Sequence, residues 1–196
     1  MRTIKVVNIA SLDGYYEGPD NGVMDLPMDE AFDAYNLERF DAADMALIGS
    51  TSFEGMSTYW PPIEHAPKPA ADDPMARAYD ANNRGISHNW NTKPVVVVSD
   101  SYEVPADNPM VDRATVIGRD EVAAWKKAGD EEVVVFASHI LWNHLLQQGL
   151  VDEVHVMQGA NALCGGTPLF TAPASLTLKE TRRFDGSDNV LLVYAP

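Results

Sequence analysis

The sequence is poor in cysteine and in basic residues. Its single cysteine, Cys164, excludes an intrachain disulfide and suits a reducing compartment. Because Cys164 lies in an apolar and glycine-rich stretch with no obvious base beside it, we expect a small buried side chain. The 196 residues include 14 lysines and arginines against 29 acidic residues, which gives a net charge of −15. Such a surface repels phosphate backbones and anionic lipids, so it disfavours nucleic-acid and membrane partners.

Long hydrophobic runs and metal-binding patterns are missing as well. No stretch approaches the ~18 apolar residues of a membrane-spanning helix. Residues 1–5 lead directly into a strand pattern without a signal-peptide hydrophobic region, so we expect a cytoplasmic protein. The five histidines show no ligand spacing, and no metal site is predicted. The sequence also contains no GxGxxG, Walker or GxSxG motif.

Short apolar strands alternate with helical segments along most of the chain. Strands buried on both faces are predicted by β-branched runs at 4–10, 45–49, 95–98 and 133–136. The first helix is predicted over 27–40, with its acidic residues pointing outward. Segments 176–183 and 190–194 alternate and predict an antiparallel pair at the C-terminal end. The pattern therefore indicates one α/β domain, a mostly parallel sheet with helices on both faces.

A proline-rich stretch from Tyr59 to Asp73 is predicted to be a loop, followed by a short helix over 74–83. Long loops in compact domains often carry function. Trp60, at the start of this loop, is expected either to cover a ligand or to pack on the core.

Small and hydroxyl residues follow four of the predicted strands, at 11–14, 49–52, 99–101 and 137–139. In open parallel sheets, ligands bind outside the carboxyl ends of the strands, and free N–H groups at helix starts attract anions. One such group alone is more simply a helix cap. Four together predict a dinucleotide site.

Two further features stay open at this point. Asp29 opens the first predicted helix, where its carboxylate either stabilises the helix dipole or faces a substrate as a buried acid. The glycine turn over 165–168 is either a backbone turn alone or a wall that lets a ligand approach closely.

These motifs resemble the dihydrofolate reductase-like family. IASLDG at 9–14 resembles the family's first-strand signature, and LIGSTSFE at 47–54 resembles its L-x-G-R-x-T-[FY]-E segment. The bacterial branch related to the riboflavin-biosynthesis reductase (RibD C-terminal) domain has segments similar to YWP at 59–61, VVVFASHILWNHLL at 133–146, GLVDE at 149–153, GGTPLF at 165–170 and GSDNVLLVY at 186–194. The match covers nearly the whole chain, residues 1–196. It implies one domain with about eight strands, helices on both faces and an antiparallel C-terminal edge.

The resemblance also implies an NAD(P)H-dependent reductase that transfers a hydride to a small heteroaromatic or carbonyl substrate, commonly as a homodimer. The reductase that the resemblance implies is similar to dihydrofolate reductase and to 5-amino-6-(5-phosphoribosylamino)uracil reductase. The positions that it assigns to the cofactor are Ile9 and Ala10 near the nicotinamide, Gly49, Ser50, Thr51 and Ser52 at the phosphates, Ser99 and Asp100 at the adenine, and Phe136, Ala137, Ser138, His139, Ile140 and Leu141 at the pyrophosphate.

Residues 24–32 resemble the W-x-L-P-x-D segment of dihydrofolate reductases, which places Asp29 and Phe32 at the substrate together with Trp60. Asp29 and Asp13 are then candidates to hold the substrate or to help deliver a proton. True dihydrofolate reductase activity is an alternative, and Asp29 is its only specific support.

Two positions depart from the family pattern. Ser50 stands where the family has the arginine that pairs with the adenosine 2′-phosphate, so NADH is possible beside NADPH, and Arg119 is a candidate substitute. Ala137 and Ser138 replace a glycine pair. These departures keep a second class of function open, a small-molecule or nucleotide-binding protein on the same scaffold without hydride transfer.

Overall fold

A mixed eight-stranded sheet is the centre of the computed structural model, which describes residues 1–20, 22–70, 72–73 and 76–196. Numbered along the chain, the strands are β1 (Thr3–Ala10), β2 (Tyr15–Glu17), β3 (Met45–Gly49), β4 (Val95–Val98), β5 (Ala114–Ile117), β6 (Glu132–Phe136), β7 (Glu153–Gln158), β8 (Thr167–Pro168), β9 (Thr177–Arg183) and β10 (Val190–Ala195). The helices are α1 (Glu30–Ala42), α2 (Ser50–Tyr59), α3 (Ala81–Thr92), α4 (Val122–Lys127) and α5 (His139–Gln147).

The strands lie side by side in the order β5-β4-β3-β6-β1-β7-β10-β9, while β2 and β8 pair separately. Neighbouring strands from β5 to β7 are parallel, and β10 and β9 add an antiparallel edge. The predicted fold class is confirmed.

Helices cover both faces of the sheet, which is why its central strands are apolar on both sides. On one face, α1, α2 and α3 pack over a core that includes Phe40 and Trp90, whose rings meet edge to face with centroids 5.0 Å apart. On the other face, α4 and α5 cover a second core around Trp142. Within the described part of the chain, no helix is both long and apolar enough to cross a bilayer.

Helix α1 begins later than predicted, and one of its acidic residues points inward. Asp29 is the N-cap, and its carboxylate accepts the N–H of Phe32 at 3.0 Å. The expectation that the acids of this helix all point outward is wrong, because Asp33 is only 6% exposed. Its burial is compensated by Arg77 and Asn83, which both contact its carboxylate.

The antiparallel pair predicted over 176–183 and 190–194 is present as β9 and β10. All seven residues of β9 are exposed, because β9 is outermost in the sheet and nothing described covers its faces. One further expectation fails. Cys164 is exposed and not buried, since it lies in a surface turn with a φ of 57° and donates its N–H to Asp13.

The segment after α2 is described only in part. Ala71 of the predicted loop, and Pro74 and Met75 of the helix predicted over 74–83, lie outside the described residues. The chain beyond them forms a 3₁₀ turn at Ala76–Tyr79 and then enters α3.

Candidate functional site

A cavity of about 600 Å³ lies where α1, α2 and α3 meet the carboxyl ends of β1 and β6. Its walls are mostly apolar, formed by Met28, Phe32, Met56, Trp60, Ile86 and Trp90. Ile9, Phe136 and Ala137 line it at the strand ends. This is the place where open parallel sheets bind ligands.

Helix α1 gives the cavity both an aromatic and a polar wall. Phe32, Asp33 and Asn36 all line the cavity. Asn36 lies four residues after Phe32 and three after Asp33, so its side chain lies beside both on the surface of the helix. Trp60 also lines the cavity while packing against the core, and its indole N–H points to the sulfur of Met56 at 3.0 Å. Both roles weighed for Trp60 are therefore compatible with its position.

Among the described residues that line the cavity, the charged side chains form one ion pair. Nε of Arg77 donates to Oδ2 of Asp33 at 2.8 Å, and the amide of Asn83 donates to the same oxygen at 3.0 Å. Burial acts to lower the pKa of Arg77, but the hydrogen bond and charge of Asp33 outweigh it and leave that pKa above its usual value. The guanidinium of Arg77 therefore keeps its charge, and its ion pair with Asp33 is neutral as a whole.

Two amide side chains at the cavity have buried polar atoms without a partner in the described residues. They are Nδ2 of Asn8, which is 5% exposed, and Oδ1 of Asn36. A buried polar atom without a hydrogen bond costs about 1–3 kcal/mol. A ligand that supplies the missing acceptor and donor would recover this cost.

Two helix starts meet beside the cavity, at the ends of β3 and β6. In the described part of the chain, neither α2 nor α5 has a side-chain cap, so the first backbone N–H groups of each helix, which have no partner within the helix, also lack a capping side chain. The N–H of Gly49 donates to Oγ of Ser138 at 3.1 Å, and the N–H of Ser138 donates to Oγ of Ser52 at 3.1 Å. These two bonds hold the helix starts together and leave the hydroxyl protons available to an anion.

The loop between β6 and α5 keeps the backbone shape expected of a glycine pair. Ala137 and Ser138 have φ values of 49° and 52°, in the left-handed region that glycine prefers. Two of the following residues differ in exposure: Ile140 is 81% exposed, whereas Leu141 is buried in the core. The loop therefore has the backbone conformation of a glycine pair although both residues carry side chains.

His139 and Tyr16 close the far side of this cradle. The ring of His139 stacks on Tyr16 with centroids 4.7 Å apart, and its Nε2 lies 2.8 Å from the carbonyl of Pro168. Nε2 must carry the proton to bond that carbonyl, so His139 anchors the glycine turn over 165–168. Tyr16 lines the cavity, and burial raises its pKa to about 12, which keeps its hydroxyl protonated.

Comparison with known proteins was decisive for the family. The RibD C-terminal domain profile matches residues 2–191. The chain belongs to the RibD C-terminal domain family. No curated protein matched the sequence.

Solved structures agree on the fold of this RibD C-terminal domain. A protein assigned to riboflavin biosynthesis from Shewanella sp. PV-4 aligns with a TM-score of 0.67 and 19% identity over 98% of both chains. A pyrimidine reductase-like protein from Corynebacterium diphtheriae aligns with a TM-score of 0.61 and 14% identity, over 98% of this chain and 91% of that chain. Dihydrofolate reductase from Enterococcus faecalis, complexed with NADP(H), aligns with a TM-score of 0.53 and 11% identity, over 98% of this chain and 95% of that chain.

The adenosine end of the predicted cofactor site also lies at the strand ends. Ser99 follows β4, and its hydroxyl accepts the N–H of Tyr102 at 3.2 Å. Asp100 accepts the N–H of Arg119 at 2.9 Å. The guanidinium of Arg119 is 63% exposed and lies 3.7 Å from the same carboxylate, so the contact is loose and solvated.

Neither predicted catalytic carboxylate lines the cavity of this RibD C-terminal domain. Asp13 accepts the hydroxyl of Ser11 at 2.6 Å and the N–H groups of Leu163 and Cys164, and these bonds hold its pKa below the usual value. Asp29 caps α1 with one oxygen and accepts the hydroxyl of Ser187 with the other. Both side chains connect loops in this structure.

The cavity contains residues that sequence reasoning missed, above all Asp33, Arg77 and Asn36. Asp33 lies one helical turn after Asp29, and its place beside Phe32 was a signal that could have found it. Arg77 is 44 positions from Asp33 along the chain. No local pattern predicts a pair at that separation. Among the described residues, no group of three or more candidate metal ligands occurs.

Proposed function

We propose that this protein is an NAD(P)H-dependent reductase that transfers a hydride to a small heteroaromatic or carbonyl substrate. One observation carries the proposal: a single cavity is lined by Ile9, Phe136 and Ala137 and also by Phe32 and Trp60. Ile9 is predicted to lie near the nicotinamide and Phe136 and Ala137 at the pyrophosphate. Phe32 and Trp60 are predicted to contact the substrate. Hydride transfer needs the two rings in direct contact, with reacting atoms ~3–3.5 Å apart. A shared cavity meets that requirement.

The helix starts beside the cavity suit a pyrophosphate. The outward N–H groups of α2, at Ser50 and Thr51, and those of α5, at His139 and Ile140, supply local positive charge. The left-handed backbone at Ala137 lets a phosphate approach the main chain closely. Such a local site answers the problem that the net charge of −15 poses for an anionic cofactor.

NADPH is the proposed donor, with NADH as the alternative. The exposed guanidinium of Arg119 is held only loosely by Asp100 and remains available to a 2′-phosphate. Asp100 itself favours the uncharged 2′-hydroxyl of NADH, because carboxylates accept hydrogen bonds from ribose in dinucleotide sites. The bound nicotinamide would supply the hydride. The chain's apolar walls would orient the substrate and exclude water.

Titration of the protein with NADPH and NADH tests the proposal directly. Trp60 and Trp90 line the cavity, so energy transfer from tryptophan to the reduced nicotinamide reports binding. We expect saturable binding with a dissociation constant below 1 mM for at least one cofactor. Absence of saturable binding for both would refute the reductase proposal.

Ser50→Arg separates the two cofactors. A charge-assisted hydrogen bond to the 2′-phosphate contributes about 1.5 kcal/mol, which is about tenfold in affinity. We therefore expect Ser50→Arg to strengthen NADPH binding about tenfold relative to NADH. Thr58→Arg adds the same charge at the exposed far end of α2 and is the matched control.

A second candidate is a binding protein on this scaffold without hydride transfer. The observation that favours it is the bonding of the Gly49 and Ser138 N–H groups to serine hydroxyls, since a phosphate would otherwise take those donors. Under this alternative, native protein does not bind NADPH and a Ser50→Arg/Ala137→Gly variant does. Oxidation of NADPH with any acceptor in an absorbance assay excludes it.

We also propose that the protein is a homodimer. The exposed outer strand β9, with Leu178 51% exposed, offers an unpaired edge that a second copy could cover. Sedimentation equilibrium at micromolar concentration checks this, and a monomeric mass contradicts it.

A further inference from the structure

The ion pair inside the cavity decides which ligands the cavity accepts. We propose that the cavity binds an uncharged planar substrate and that Asp33, by neutralising Arg77, excludes phosphate esters and carboxylates. This inference rests on the proposed function in taking the cavity as the substrate site. It goes further in stating the charge and polarity of that substrate.

The first step is the charge of the cavity itself. Of the described residues that line it, Arg77 is the only cation and Asp33 the only anion, and they are joined at 2.8 Å. A phosphate dianion entering the cavity therefore meets no net positive charge. It would also lose its hydration, which costs several kcal/mol per ion without a compensating partner.

The second step is the surroundings of the pair. Asp80 and Asp29 also act on Arg77 electrostatically and raise its pKa further. The guanidinium thus faces three carboxylates, and the whole chain carries a net charge of −15. An anionic ligand would be repelled both locally and at long range.

The third step is the polarity that remains. The unpartnered Oδ1 of Asn36 requires a donor and the unpartnered Nδ2 of Asn8 requires an acceptor, and neither requires a charge. The other walls are aromatic or thioether groups such as Phe32 and Met56, which favour flat apolar rings. A neutral ring that carries both an N–H and a C=O group, as in a lactam or an aromatic amide, satisfies these walls. A ligand that lacks those groups leaves the amides unpaired and binds less tightly.

Three naphthalene compounds of matched shape test the inference on the full chain: 2-naphthamide, 2-naphthoate and 2-naphthyl phosphate. Their own fluorescence reports binding. For the native protein we expect 2-naphthamide to bind at least tenfold more tightly than either anion. Equal or tighter binding of an anion would overturn the inference, and so would failure of all three to bind. This comparison needs no variant and does not depend on folding of one.

Asp33→Asn then tests the role of the carboxylate. It keeps the shape and frees the charge of Arg77, so we expect affinity for 2-naphthyl phosphate to rise at least tenfold while that for 2-naphthamide changes less than threefold. Glu30→Gln removes the same charge from an exposed position on the same helix and is expected to leave all three affinities unchanged. The double variant Asp33→Asn/Arg77→Gln is expected to lose the increased affinity for 2-naphthyl phosphate. An unchanged preference in the folded Asp33→Asn variant would refute the role of Asp33.

NADPH titration runs in parallel and keeps the two proposals distinct. Preference for 2-naphthamide without NADPH binding would refute the reductase proposal and leave the cavity's selectivity standing. NADPH binding together with a preference for 2-naphthyl phosphate would refute the cavity's selectivity and leave the reductase proposal standing.

Discussion

Substitution of Ala137 by glycine tests whether the loop between β6 and α5 is strained. Ala137 has a φ of 49°, and the left-handed conformation costs a residue with a Cβ about 1–2 kcal/mol. Glycine removes that cost but gives up about 0.4–1 kcal/mol in additional backbone entropy of the unfolded chain. Ala137 contributes only a half-buried methyl group at the cavity wall. The balance predicts that Ala137→Gly raises the free energy of unfolding by about 0.5–1 kcal/mol.

Urea unfolding of native protein and variant measures this difference, provided that the slope with urea concentration stays constant. Ala160→Gly is the control, because Ala160 is exposed in a loop and its φ is not positive. Its free energy of unfolding should fall by about 0.4–1 kcal/mol. If Ala137→Gly destabilises the protein as much as Ala160→Gly does, the strain argument is refuted.

Two further predictions concern buried ionisable groups outside the cavity. His155 accepts the Tyr35 hydroxyl at 2.7 Å, and burial lowers its pKa below the usual 6.5, so the unfolded chain binds the proton more readily. The contribution of His155 to the free energy of unfolding should therefore be fully present above pH 6.5 and be lost as the pH drops toward the folded-state pKa. Urea titrations from pH 8 to 5 measure this loss, which should be smaller in the His155→Gln variant. Lys126 is 3% exposed and pairs with Asp152, whose carboxylate also accepts the N–H of Ile4 at 2.7 Å. Asp152→Asn leaves the ammonium of Lys126 without its counter-charge and should lower the free energy of unfolding by about 2–3 kcal/mol, less than for a fully buried pair because Asp152 is partly solvated. A change below about 0.5 kcal/mol would contradict this. Lys126→Met added to Asp152→Asn should recover part of the lost stability.

The strands could be predicted from the sequence because their signal is local. Val95–Val98 is buried on every side chain, and a run of four valines with no polar interruption has few other structures available. The order of the strands was not predicted, because it depends on contacts between distant segments. Pairing of β1 with β6, for example, joins residues about 130 positions apart. For the same reason the exposure of β9 could not be predicted, because an alternating sequence does not show whether another layer covers the strand.

At the candidate site, main-chain positions were easier to predict than side-chain contacts. The resemblance implied a pyrophosphate cradle at Ala137 and Ser138, and both residues have the left-handed backbone that glycine prefers. The cavity's carboxylate did not follow. A motif places Asp29 by its distance from Pro27, but that carboxylate is taken by the helix start. The acid that reaches the cavity is one turn further on, and its burial depends on a partner from a distant segment.

The two ends of the proposed site share one feature, which is that neither has a net positive charge from its side chains. At the proposed cofactor end, Ser50 stands where the resemblance implies an arginine, and Arg119 lies against Asp100. At the proposed substrate end, Arg77 is the only cation among the described residues that line the cavity, and it is bound to Asp33. In both places hydroxyl groups, amides and main-chain N–H groups are left to recognise the ligand. Such groups act only at hydrogen-bond distance and in defined directions. We therefore expect selectivity at both ends to depend on shape and hydrogen bonding more than on attraction from a distance.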